Sequence, residues 1–153
     1  MAYKISDPPD LQLGDPLGVA YNVTMAVGEG KPNIDEDVML VQLCLQQICA
    51  HAPLWRQMIT PDGKKIEADG KCGPITKNAI WRFQTELQRH TTVYADGVVG
   101  PFTGSTTTAA GHEYTLLWLN DILRGNIGKD AFEDLAEQSF TPPLLKSKLH
   151  SPK

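Results

Sequence analysis

Four histidines, three cysteines and a close pair of carboxylates are the side chains here best suited to chemistry. His51, His90, His112 and His150 stand in four separate places, with no His-x-x-x-His pair to put two imidazoles on one helix face for a metal. Solvated histidines and no metal are expected. Cys44 and Cys49 have the spacing of neighbouring turns of one helix, and Cys72 leaves the count odd. Buried reduced thiols fit this pattern better than a metal knuckle or a disulfide framework. There is no Gly-x-Ser-x-Gly elbow, and Gly28-Glu29-Gly30 lacks both the third glycine and the Lys-Ser/Thr of a phosphate loop. Glu67 and Asp69 form the close carboxylate pair, but Asp69 belongs to a turn motif that already accounts for it. The expectation is a protein without catalytic residues and without a cofactor.

The elements that position these residues come from 153 residues, 41% of them hydrophobic and 21% charged, which is ordinary for one soluble globular domain. A net charge of -4 does not generate the field that sequence-independent nucleic-acid binding requires, so no nucleic-acid partner is expected. No apolar run reaches the roughly 18 residues of a membrane helix, and the first residues have no signal-like apolar segment.

Residues 1–18 hold three prolines and three aspartates and read as an arm. Val19, Tyr21, Val23, Met25 and Val27 alternate with small or polar residues, predicting a strand of about nine residues that ends at Gly28. Asp35, Glu36 and Asp37 precede Val38, Val41, Leu45 and Ile48, predicting a first helix over 35–51, stopped by Pro53. Pro61-Asp62-Gly63 between short apolar flanks predicts a small β-hairpin over 58–66.

The most informative feature is an internal repeat: Ala68-Asp69-Gly70-Lys71-Cys72-Gly73-Pro74-Ile75-Thr76 recurs as Ala95-Asp96-Gly97-Val98-Val99-Gly100-Pro101-Phe102-Thr103. Asp bonds nearby amides, the first glycine permits positive φ, the second closes the turn and proline suits a first helical turn. Asp69, Gly70, Gly73, Pro74, Asp96, Gly97, Gly100 and Pro101 are therefore assigned to structure. After the first copy, Ala79, Ile80, Phe83 and Leu87 predict a second helix to about His90. After the second copy, Gly104 and Ser105 with three threonines continue a helix poorly, and a third stripe (Tyr114, Leu117, Trp118, Asp121, Ile122) comes only later, before a Gly125 stop. Residues 129–140, with Ala131, Phe132, Leu135 and Ala136 as an apolar face, predict a short fourth helix ended by Pro142 and Pro143. The tail from Leu144 to His150 reads as either a docking peptide or a frayed terminus.

The doubled turn, with Phe83-Gln84 between its copies, resembles the peptidoglycan-binding-like domain, a small three-helix module of bacterial and phage cell-wall proteins. Val27-Gly28-Glu29-Gly30, Asn33, Asp37-Val38, Val41-Gln42 and Leu45 resemble that family's entry into its first helix. The likeness covers about residues 25–125. It divides the chain into an N-terminal arm and strand (1–24), the module (25–125) and a C-terminal helix and tail (126–153). The departures are a long segment between helix one and the first turn, a Thr/Gly-rich insertion before helix three, and extra residues at both ends.

The fold implied is mainly α: a three-helix bundle with an N-terminal strand, the small hairpin and a C-terminal helix. The function implied is non-catalytic binding of cell-wall peptidoglycan, bringing an attached or partner protein to the wall. On that resemblance Trp81, Arg82, Gln84 and Tyr94 are the candidate ligand residues, since an indole stacks on pyranose C-H faces and an arginine pairs with a stem-peptide carboxylate. It implies bacterial export without a signal peptide, acting in the periplasm or at the wall, or residence in a phage particle. The competing expectation is a protein-interaction component (structural, adaptor or cargo) of a phage tail or contractile secretion apparatus, with the C-terminal helix and tail as the partner surface.

Overall fold

The structure, a computed structural model, describes residues 2–11 and 16–149. Its elements run β1 (Tyr3–Ser6), β2 (Val19–Asn22), β3 (Val27–Gly28), α1 (Asp35–His51), α2 (Pro53–Ile59), α3 (Pro74–Gln88), β4 (Val98–Val99), α4 (Thr115–Ile127), α5 (Lys129–Glu133), a 3-10 turn (Leu135–Glu137) and α6 (Pro143–Lys146). Among the described residues the class is mixed α and β, six helices with two small antiparallel sheets, β1 with β2 and β3 with β4. No helix among the described residues is long and apolar enough to cross a membrane.

Helix α1 is the axis of the core. Three carboxylates occupy its first turn, where the helix dipole favours them, and Val38, Leu40, Val41, Leu43, Leu45 and Ile48 are wholly buried. Burial on every side follows because α2, α3, α4 and α6 all pack against it. Its predicted bounds match the structure, and Pro53 then starts α2 at the position where a missing N–H costs nothing.

Four expectations are corrected. The nine-residue strand is two pieces, because Asp37 accepts the Thr24 and Met25 N–H groups at 3.3 and 3.1 Å and bends the chain between β2 and β3. Met25 is consequently 44% exposed and Ala20 fully buried, against the alternation. The predicted hairpin over 58–66 is instead the end of α2 and a turn closed by Gly63 N–H to Thr60 O at 3.0 Å. Trp55, on α2, lays its ring 5.0 Å from Phe83. Helix α4 passes through Gly125 and ends at Gly128, whose φ of 92° breaks it. The predicted helix over 129–140 is α5 followed by the 3-10 turn.

Both ends of the described chain pack into the body. The expected arm supplies β1, paired with β2 from Tyr3↔Asn22 to Ser6↔Val19, and Ala2 and Leu17 are buried. The Tyr21 hydroxyl donates to Phe132 O at 2.6 Å and accepts from Leu135 N at 3.3 Å, with the Tyr21 and Phe132 rings edge to face. Burial raises the Tyr21 phenol far above its ordinary value, so it remains a donor. Lys4 Nζ donates to Glu133 O at 2.6 Å. Leu145 and Leu149 of the expected docking tail are buried in the core of their own chain; His150 and the residues after it lie outside the described residues.

Candidate functional site

Each copy of the repeated turn is held by one buried glutamine. At the first, Gln42 of α1 accepts Gly70 N–H at 2.8 Å, and its Nε2 lies 3.1 Å from Asp69 Oδ1, 2.9 Å from Lys71 O and 3.0 Å from Thr76 Oγ1. At the second, Gln84 of α3 accepts Gly97 N–H at 2.7 Å, with Nε2 3.3 Å from Asp96 Oδ1, 2.8 Å from Val98 O and 2.9 Å from Thr115 Oγ1. In both, the aspartate also accepts the amide two residues on, at 2.9 Å from Lys71 and 3.0 Å from Val98. Those bonds, the Lys71 amide foremost and the Gln42 amide with it, hold the Asp69 carboxyl below its usual range. Gly70 and Gly97 have φ of 81° and 75°, the positive region that favours glycine.

A third clamp, half-buried, closes the loop between β3 and α1. Asn33 exchanges bonds with Gly28 (2.8 and 2.9 Å), and a Cβ at Gly28 would stand 2.4 Å from Gly97 O, so only glycine lets β3 meet β4 here. The first copy launches α3, with Gly73 before it and Pro74 in its first turn, but the second does not launch a helix after Pro101. Instead residues 104–114 make an excursion closed by a Thr107↔Glu113 bridge and by Thr108 N–H to His112 O at 2.8 Å.

Both turns border a surface groove. The first, of about 180 Å³, is lined by Lys65, Glu67, Lys71 and Ile75. The second, of about 270 Å³, is lined by Tyr94, Val98, His112, Glu113 and Tyr114. Counted from the two aspartates, Tyr94 stands in the place of Glu67. Its ring is 55% exposed and lies 5.1 Å from that of His112 at 32°. His112 is fixed by a bond between Nδ1 and Thr92 O (3.1 Å), and Glu113 by the Thr92 N–H and hydroxyl (3.2 and 3.1 Å). An exposed aromatic face with carboxylate, imidazole and phenol groups on its rim suits a flat polyol.

The four candidates chosen from sequence do not share this groove. Gln84 is wholly buried and committed to the turn, so it offers no surface to a ligand. Arg82 donates to Ile59 O at 3.3 Å and lines a separate cleft with Asp62 and Asn78, tying α3 to the end of α2. Trp81 is 52% exposed and does not line the Tyr94 groove. Tyr94 alone stands in it, and sequence reasoning missed His112, Glu113 and Tyr114. His112 and Glu113 fall in an insertion with no period to read, and Tyr114 reads as the start of the third apolar stripe; the one available signal was the insertion's aromatic and charged end following a run of Gly, Ser and Thr.

The thiols are unbridged and bury to different degrees; burial pushes the Cys44 thiol up to about 12. No group of three His, Cys, Asp or Glu among the described residues could hold a metal ion. No family model, no curated protein and no solved structure matches the chain.

Proposed function

We propose that this chain is a non-catalytic binder of bacterial cell-wall peptidoglycan that brings an attached or partner protein to the wall. On this reading α1, α3 and α4 are the three helices of a peptidoglycan-binding-like module, the two glutamine-clamped turns are its joints, and the remaining elements buttress it. The observation that carries the proposal is the groove beside the second turn. Tyr94 offers a half-exposed ring to a sugar's C-H face, and Glu113, His112 and Tyr114 of the same groove are the partners offered to its hydroxyls. One stacking contact and a few rim hydrogen bonds give roughly millimolar to high-micromolar affinity, useful when avidity or tethering adds to it.

Co-sedimentation with purified sacculi tests this. Wild-type protein pellets with sacculi, Tyr94→Ala weakens binding about tenfold through the lost ring, and Leu54→Asp leaves it unchanged. Absence of pelleting, or pelleting indifferent to Tyr94→Ala, overturns the proposal.

A second reading, a protein-interaction component of a phage tail or contractile secretion apparatus, is favoured by one feature. Leu54 is 73% exposed at the lip of an apolar cleft of about 370 Å³ between α2 and α3, with Trp55, Met58 and Leu87. Loss of a partner on Leu54→Asp, with no binding to sacculi, is its signature.

A further inference from the structure

A hollow of about 520 Å³, larger than the groove beside Tyr94, lies between the end of α1, the end of α2 and the chain that leads to the first turn. It has no counterpart in the second repeat. Twenty-seven residues separate Gln42 from Asp69, against 12 between Gln84 and Asp96, and the longer connection supplies α2 and the turn whose side chains line this hollow. Its walls carry Arg56, Lys64 and Lys65 against one carboxylate, Glu67, over buried Ile66 and Cys49.

That charge is concentrated against the trend of the chain, whose net charge is -4. Arg56 is tied to the end of α1 by a 3.4 Å bond to Cys49 O, and none of the three cations forms an ion pair among the described residues. A guanidinium offers a planar fork that matches a carboxylate, and two ammonium groups add point charge beside it. The volume sets the size: it falls in the range of roughly 300–1,000 Å³ typical of small-molecule sites, several times what an inorganic anion fills. The apolar floor of Ile66 and Cys49 accepts hydrocarbon, not a second hydration shell.

We propose that this hollow binds a small aliphatic dicarboxylate, its two anionic ends held by Arg56, Lys64 and Lys65 and its methylene spine laid on Ile66 and Cys49. The site is independent of the Tyr94 groove and of the peptidoglycan reading. Lys65 and Glu67 also line the groove at the first turn, so occupancy changes the surroundings of that turn and not of the second.

Glutarate is the probe, glutaramide its uncharged isostere and inorganic phosphate the anion without a spine. Amide NMR of the full chain reads the site directly, and alkylation of Cys49 in a Cys72→Ser background reads its floor. Glutarate is expected to shift the amides of residues 64–67 saturably and slow Cys49 alkylation, more weakly as salt rises. Glutaramide does neither, and phosphate binds about tenfold more weakly for want of a spine. The double variant Lys64→Ala/Lys65→Ala, at exposed positions, keeps the melting temperature and weakens glutarate about tenfold or more. Tyr94→Ala leaves glutarate binding unchanged. Equal effects of glutarate and glutaramide, equal affinity for phosphate, or indifference to the double variant overturns the proposal.

Discussion

At the first turn, the hydroxyl that completes the glutamine clamp comes from inside the repeated motif, at Thr76. At the second it comes from Thr115, beyond the whole 104–114 excursion, while the motif's own Thr103 is exposed and its hydroxyl lies 3.3 Å from that of Tyr114. The same circuit of amide, aspartate, glycine and hydroxyl is thus closed by different stretches of chain. What repeats in three dimensions is a set of satisfied polar groups, and the helix that follows is free to start at once or a dozen residues later. Each turn then acquires different surroundings: lysines and Glu67 at the first, aromatic rings at the second.

The sharpest way to break this comparison is to remove the clamps. Gln42→Ala strands the buried Gly70 amide and Gln84→Ala the half-buried Gly97 amide, each with several acceptors around a buried glutamine site, and each should cost about 3 kcal/mol. For a chain of this size that lowers the melting temperature by roughly 6–12 °C. Nearly equal losses by thermal denaturation are expected; a neutral Gln84→Ala would show that the second circuit is ornament.

The glycines separate the turns. A Cβ at Gly70 would stand 3.1 Å from Asp35 O and 3.4 Å from Met39 Cε, whereas Gly97 has nothing within 4 Å. Both carry the positive-φ penalty, so Gly97→Ala should cost about 1 kcal/mol and Gly70→Ala about 2–3. Urea midpoints that rank them the other way would place the tighter packing at the second turn.

Hydroxyl deletion is subtler. Thr76→Val and Thr115→Val should each cost about 1 kcal/mol, and Thr103→Val less than about 0.5, despite its place in the motif. A costly Thr103→Val would return the clamp to the sequence repeat.

The smallest effect is one of pH. Because the folded Asp69 carboxyl is held below its ordinary 3.8, its contribution is present above that value and fades as pH falls through the depressed one. Asp69→Asn should flatten the slope of stability below about pH 4. An unchanged slope would count against a charged acceptor at this turn.

Local and distant contacts separate what the sequence makes legible from what it hides. Helix α1, the start of α3 at Pro74 and the positive-φ glycines were legible, because apolar period, proline and the Asp-Gly pair act within a few residues. The broken strand was not, because Asp37 bends it from the far side of the chain's next element. Gln84 was misjudged for the same reason: a glutamine flanking an apolar stripe looks solvent-facing until Gly97 and Thr115 arrive to occupy it. The groove's His112 and Glu113 depend on Thr92, some twenty residues away, through bonds that no local pattern encodes.

The bond from Lys4 to the carbonyl of Glu133 spans 129 residues, whereas the first glutamine clamp closes a span of 34. During synthesis at about 5–20 residues per second the first turn can assemble within seconds of its start, but β1 and β2 must wait roughly 6–26 seconds for the segment that covers them. For that interval Tyr21 and its neighbours are apolar surface without a cover. The order of emergence from the ribosome therefore leaves the first-made strands unsealed through most of synthesis, and a nascent chain stalled before Phe132 should be readily captured by a chaperone.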